Sequence, residues 1–262
     1  MYDMRIVAPT VCRVLGIRPP SSADSEFLPL VGDTMNSKKL AVIVIDALGM
    51  STWNKARELT PTLNTLETVH FTVIHSVMKT ITPVNFATML TGASPGTHGI
   101  TNREMPLGHE TVFHVMREAG MRSATAARAL SSLGILISPH SDKPGLAESN
   151  MDSEVTELAV SRLLEGFNLV WVHLLDVDDA GHEYGPLSAE GMDAAARAEG
   201  NLRVMLEAAR DNGYSVIVLA DHGQHDSGED RLKGTHGTDM PEDVEVPFLW
   251  ANNSELKEIL SR

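Results

Sequence analysis

Residues 40–46 read LAVIVID, residues 169–176 read LVWVHLLD, and residues 214–223 read YSVIVLADHG. Each begins with a continuous apolar run rich in β-branched residues. Such a run is too short for a helix and lacks the alternation of a half-exposed strand, so it reads as a strand buried on both faces. Helical patterns separate these runs: Pro61–Thr68, Glu110–Ala119, Asp152–Glu165 with Asp152 or Ser153 as cap, and Ser188–Arg210. Phe71–Ile74 and Val246–Trp250 read as further strands and Ser254–Leu260 as a last helix; Ser123–Ala127 suits strand and helix equally. Buried strands alternating with helices predict an α/β fold, a doubly wound and mostly parallel sheet with helices on both faces.

In such sheets ligands bind outside the carboxyl ends of the strands. Asp46, Asp178 and Asp221 each lie just past such an end. Aspartates gathered on one edge repel one another and need positive charge, yet these turns contain no Lys or Arg. They do contain histidines: His182 four residues after Asp178, His222 beside Asp221, and His236 in a glycine-rich loop. Any one of these histidines alone reads as an ordinary loop residue; the set together reads as a metal site. Carboxylate plus neutral imidazole without thiolate suits Zn²⁺ or Mn²⁺ better than Ca²⁺ or Mg²⁺. The ligands are too many for one tetrahedral ion and suit two, and a pair of cations can stabilise the attacking and leaving oxygens of an in-line displacement. His173, inside a strand, reads as a core histidine, and His98 as part of a structural turn.

The stretch from Met78 to Ile100, MKTITPVNFATMLTGASPGTHGI, adds a hydroxyl. Thr82 precedes Pro83 and an apolar-periodic run that stops at Gly92. This predicts Thr82 at a helix N-cap with proline at the first helical position. Free N–H groups and the positive end of the helix dipole converge there, which suits a phosphate. A hydroxyl so placed can attack phosphorus once its proton is lost, and Asn85 could donate to the same phosphate. Taken alone, Thr82 reads first as a plain capping residue; the rest of the chain shifts that reading.

Composition narrows the partners. The chain has 262 residues, 42% of them hydrophobic, enough for one large domain with a real core. A net charge of −14 disfavours nucleic-acid polymers and anionic membranes, but not a small phosphate ester whose site is made positive by bound cations. The single cysteine, Cys12, excludes an internal disulfide framework. No apolar run reaches membrane-spanning length, and Asp3, Arg5 and Arg13 interrupt the N-terminal apolar stretch, so a cytoplasmic location is expected. Oligomeric state is not legible.

Five segments then resemble one family. They are VIVIDALG around Asp46, TPVNFATMLTG with Thr82 and Asn85 followed by HGI, DVDDAGHEYGP with Asp178 and His182, LADHG with Asp221 and His222, and THGT with His236. In this order they resemble the alkaline phosphatase superfamily, and within it the type I phosphodiesterase/nucleotide pyrophosphatase branch. The resemblance implies two zinc ions, one held by Asp46, Thr82, Asp221 and His222, the other by Asp178, His182 and His236. It implies Thr82 as nucleophile, forming a phosphothreonine, with Asn85 as a phosphate donor; Thr80 is the fallback nucleophile. The expected activity is metal-dependent hydrolysis of a small phosphate diester or nucleotide. The alternatives are a phosphomonoesterase or phosphonate hydrolase on the same site, or a non-catalytic metal-binding protein. A threonine in place of cysteine or serine argues against sulfatase chemistry. No arginine stands near Thr82 in sequence, unlike the phosphomonoesterase branch. The interval from His182 to Asp221 is too short for the large cap of the phosphomutases, although residues 100–150 leave room for a small one. IVAPTVCRVLGIRPP resembles a segment that relatives carry after their last metal histidine, which suggests a permuted order with residues 5–20 packed near Val246–Trp250.

Overall fold

A computed structural model of the chain describes residues 2–229 and 232–260. The three apolar runs form the centre of the sheet. β1 (Leu40–Ile45) lies between β5 (Leu169–Leu174) and β6 (Ser215–Leu219), parallel to both, and every residue of the three strands is buried. Outside them stand β2 (Phe71–His75), β3 (Ser123–Arg128), the two-residue β4 (Leu146–Ala147) and β9 (Glu245–Ala251). The seven strands run in the order β2-β9-β6-β1-β5-β3-β4, with β9 antiparallel to β6 and to β2 and the other pairings parallel. A separate short ribbon joins β7 (His225–Asp226) to β8 (Gly234–Thr235).

Two groups of helices cover the sheet. In one, α1 (Val7–Leu15), α2 (Pro29–Thr34), α5 (Thr82–Thr91) and α7 (Val112–Glu118) pack around one another, with α1 against β1. In the other, α10 (Ala189–Asp211) crosses β1 and β6 and meets α4 (Pro61–Val69), α8 (Asp152–Leu164), α9 (Asp176–Tyr184) and α12 (Asn253–Ile259). The short α3 (Met50–Lys55), α6 (Pro95–His98) and α11 (Pro241–Val244) complete the set. No helix among the described residues is long and apolar enough to cross a membrane.

Strand register sets up the site. Ile45 pairs with Leu174, and Val44 with Leu219, so these strands end level at one edge. Asp46, Asp221 and the start of α9, one or two residues past these ends, therefore share that edge. The chain turns sharply after Asp46, with Ala47 in the left-handed region at φ 59°. Gly49 and Gly223 follow because their two turns touch. A Cβ on Gly49 would lie 2.6 Å from the Gly223 Cα, and one on Gly223 would lie 2.0 Å from the Glu242 carbonyl oxygen.

Several expectations change here. Ser123–Arg128 is a strand, in the same sheet as the rest. Residues 100–150 supply α7, β3 and β4, so the body of that interval belongs to the main sheet and its flanking helices. The acidic stretch after β5 is a helix, α9, and not a loop. The N-terminal segment packs on α5 and β1. Residues flanking it on either side reach the β9 side: the His75 N–H on β2 donates to the Tyr2 carbonyl at 2.9 Å, and Trp250 Nε1 donates to Thr34 at 3.0 Å.

Candidate active site

Thr82 is the first residue of α5, and Ile81, in an extended conformation, precedes it as the cap residue. The cap is one residue earlier than the sequence predicts, which leaves Thr82 at the first helical position with its hydroxyl free of capping. Thr82 Oγ1 instead lies 3.2 Å from His222 Nε2 and 3.4 Å from Asp46 Oδ2. His222 Nε2 is also 3.3 Å from Asp46 Oδ1 and 3.4 Å from Asp221 Oδ2. Asp46, Asp221 and His222 thus form one compact trio of potential ligands, all buried. Asp178, His222 and His236 form a second. His182 Nε2 stands 3.4 Å from Asp178 Oδ1, four residues along α9, and its ring centroid is 5.0 Å from that of His236. The structure therefore gathers all seven sequence-predicted ligands at one place. His222 stands close to both halves, where the resemblance assigns it to one.

The three imidazoles are held in one tautomer. His182 Nδ1 donates to the Gly234 carbonyl at 2.9 Å, His222 Nδ1 to Gly223 at 3.1 Å, and His236 Nδ1 to Thr80 at 2.8 Å. Every Nε2 lone pair is thereby left facing the carboxylates, the arrangement that ligating histidines adopt.

The electrostatics call for positive charge. Asp46 and Asp221 are fully buried, and among the described residues Asp46 Oδ1 and both Asp221 carboxylate oxygens find no hydrogen-bond partner. Burial, then the charges of Asp221 and Asp178, hold the Asp46 carboxyl well above the usual carboxylate range. Burial pushes Asp221 up to about 6. Burial and the neighbouring His236 push His222 down to about 3. Orphaned buried carboxylates beside neutral imidazoles are costly alone and are relieved by a divalent cation. The separations agree: bonds of about 2.0–2.1 Å at tetrahedral angles put neighbouring donors about 3.3 Å apart. The residues present fit a pair of divalent ions with nitrogen and oxygen donors.

Other residues differ from their sequence reading. Asn85, expected to donate to phosphate, is fully buried with its amide engaged. Its Oδ1 accepts from the Val77 N–H at 2.8 Å, and its Nδ2 donates to the carbonyls of Val77, Lys79 and Ile81 at 3.3–3.4 Å. It thus braces the segment that leads into Thr82. Thr80, the fallback nucleophile, donates to the Thr238 carbonyl and accepts from the Gly237 N–H, so its hydroxyl is committed to the His236 loop. His173 is more than a core histidine, since its Nε2 donates to Asp46 Oδ2 at 2.8 Å. The signal was in the register: His173 pairs with Val44, whose side-chain face Asp46 shares two residues on. Arg128, at the end of β3, was missed because only tertiary structure brings it beside α9. It is bound by Asp152, Asp176 and Asp179. A cavity of about 290 Å³ opens beside the α5 N-terminus, lined by Lys79, Ile81, Val84 and Ile100 among others.

Comparison with known proteins places these features. The family model for type I phosphodiesterase/nucleotide pyrophosphatase matches residues 40–244. Venom phosphodiesterase 2 of Crotalus adamanteus is 26% identical over 209 residues, covering 67% of this chain and 25% of the snake protein. The chain thus spans about a quarter of the length of the curated relatives it matches. Among solved structures, murine ectonucleotide pyrophosphatase/phosphodiesterase 5 aligns with a TM-score of 0.66 at 14% identity, over 81% of this chain and 87% of that one. A threonine-to-alanine form of the same murine protein, described as inactive and in complex with AMP, aligns with a TM-score of 0.65 over 85% and 95%. The periplasmic domain of EptC from Escherichia coli, in complex with Zn, gives 0.58 at 16% identity over 86% and 75%. These structural likenesses establish the alkaline-phosphatase-like α/β fold.

Proposed function

The chain belongs to the type I phosphodiesterase/nucleotide pyrophosphatase family, and on that premise we propose that it is a two-metal hydrolase of small phosphate esters, favouring diesters or nucleotides. The observation that carries the proposal is the seating of Thr82 Oγ1 against Asp46 and His222, inside a buried ligand set with unpartnered carboxylate oxygens.

Asp46, Thr82, Asp221 and His222 would hold one cation and Asp178, His182 and His236 the other, with His222 close to both. Two divalent ions, zinc first and manganese second, would supply positive charge that lowers the Thr82 pKa and offsets charge developing on the phosphoryl oxygens. Thr82 Oγ1, having lost its proton to solvent, attacks phosphorus. A bond forms between Thr82 and phosphorus, and the bond to the leaving alcohol breaks. Water then attacks the phosphothreonine, releasing the phosphate product and restoring the hydroxyl. The free N–H end of α5 faces the same place and favours the negative phosphoryl group. Asn85 acts by fixing residues 77–81, and so the entry into α5. The cavity beside Ile81 and Val84 would take the ester substituent.

The preference for diesters rests on charge. Arg128 is close enough to His173 to act on it electrostatically, but its guanidinium is already shared among three carboxylates, so it is not free to clamp a doubly charged monoester. The test compares zinc-loaded protein on p-nitrophenyl phosphate, bis-p-nitrophenyl phosphate and a p-nitrophenyl nucleoside monophosphate. A preference for diester or nucleotide by more than about tenfold in kcat/KM, or about 1.4 kcal/mol, supports the reading. A monoester preference overturns the diester part, and an absence of Thr82-dependent turnover on all of them overturns the whole.

A further inference from the structure

Two of the seven expected metal ligands ride on one short helix. α9 has nine residues and carries both Asp178 and His182, yet its buried residues are only Val177, Ala180 and Gly181. Side chains so small give little apolar area to fix a helix in one orientation. Its placement must come from somewhere else.

Ionic contacts hold its N-terminal turn. Arg128, with a side chain 6% exposed, reaches from the end of β3 to three carboxylates. Its Nε donates to Asp152 Oδ1 at 3.0 Å, one Nη donates to Asp176 Oδ1 at 2.6 Å, and the other binds Asp179. Asp152 uses its second oxygen on the helix itself: Oδ2 accepts the backbone N–H groups of Leu175 and Asp176, each at 2.8 Å. Arg197 on α10 adds a contact to Asp176 Oδ2 at 3.2 Å. Asp176 and Asp179 are three apart, on the face toward Arg128, whereas Asp178 and His182, four apart, project toward the metal site. On the metal-site side, Gln224 donates to the Asp178 carbonyl at 3.2 Å and to its carboxylate. Gln224 lies so close to Gly181 that a Cβ there would sit 1.8 Å from its Oε1.

We propose that Arg128 is a positioning residue: through Asp152, Asp176 and Asp179 it sets the orientation of α9, and so the place of Asp178 and His182 in the second half of the metal site. A planar guanidinium can engage several carboxylates in fixed directions at once, which an ammonium cannot. The knot therefore orients the helix as well as neutralising it. The part that concerns metal rests on the two-cation reading above; the part that concerns the helix does not.

The experiment compares wild type, Arg128→Lys and Arg128→Met. Hydrogen exchange is followed first in metal-free protein. Residues 176–184 of Arg128→Met exchange about tenfold faster while β1 and β6 keep their protection, and Arg128→Lys falls between. Unchanged protection of α9, or equal loosening of β1 and β6, overturns the proposal. Zinc is then titrated against a chromophoric chelator. Arg128→Met weakens one of two equivalents by about tenfold or more and leaves the other within about twofold; equal weakening of both overturns the proposal. If wild type binds no zinc, the two-cation reading fails and the exchange data still decide the role of Arg128. Should Arg128→Met not fold, Asp179→Ala removes only the exposed arm of the knot. It should speed α9 exchange by about threefold, and unchanged protection would overturn the proposal.

Discussion

His173 Nε2 lies 2.8 Å from Asp46 Oδ2, with both residues fully buried, so one carboxylate of the proposed metal site is aimed by a histidine on the next strand. Phe86 of α5 packs on that imidazole at 4.5 Å between ring centroids. The helix that begins at Thr82 and the Asp46 carboxylate are thus referred to one side chain. Replacing His173 by Phe keeps a ring against Phe86 and removes the donor. The expected result is a fall of about tenfold to a hundredfold in affinity for the ion bound by Asp46. Zinc competition with a chelator measures it, and unchanged affinity would show that Asp46 is held without His173.

Acid and metal should compete for the same oxygens. In metal-free protein Asp221 is raised to about 6 and Asp46 is held well above the usual carboxylate range, both chiefly by burial. These groups bind more protons folded than unfolded between the ordinary aspartate value and their raised values. Their contribution to stability is therefore full at low pH and is lost as pH rises through their raised values, about 6 for Asp221. A bound cation removes that loss. Zinc should raise Tm more at pH 7.5 than at pH 5, and zinc binding near pH 6 should release protons, which calorimetry in two buffers detects. An equal rise in Tm at both values would mean that the carboxylates do not hold the ion.

Gly223 follows His222 in a turn that has no room for a side chain. A Cβ there would meet the Glu242 carbonyl oxygen at 2.0 Å, a backbone atom that cannot swing away. Gly223→Ala should cost about 2–3 kcal/mol, read by urea denaturation of metal-free protein. The same substitution should weaken zinc binding, because Gly223 also supplies the carbonyl that sets the His222 tautomer. A variant as stable as wild type would show that the loop carrying Glu242 yields easily.

The centre of this fold was legible because its strands are buried on both faces, and burial leaves an unbroken apolar run in β1, β5 and β6. The aspartates stood out because each such run ends in one. β3 was not legible: SATAAR is built of small residues whose local preferences do not separate strand from helix, and its neighbours in the sheet decide. α9 was hidden for a related reason. DVDDAGHEY has almost no apolar face, and the contacts that fix it come from Arg128, Asp152 and Gln224, far away in sequence. Thr82 was placed one position early because the Thr-Pro pair marks a helix start without fixing which residue is the first. Asn85 was read from its type alone. Only the folded chain shows that its amide is enclosed by the carbonyls of Val77, Lys79 and Ile81.

The central claim is that Thr82 carries the phosphoryl group. Zinc-loaded wild type and Thr82→Ala would each be mixed with an activated phosphodiester, quenched in acid within milliseconds to seconds, and digested for peptide mass spectrometry. The account predicts a phosphorylated peptide with the group on Thr82 in wild type, and none in Thr82→Ala, which still binds two zinc ions and has lost turnover. Phosphorylation of another residue, or near-normal turnover by Thr82→Ala, would contradict it.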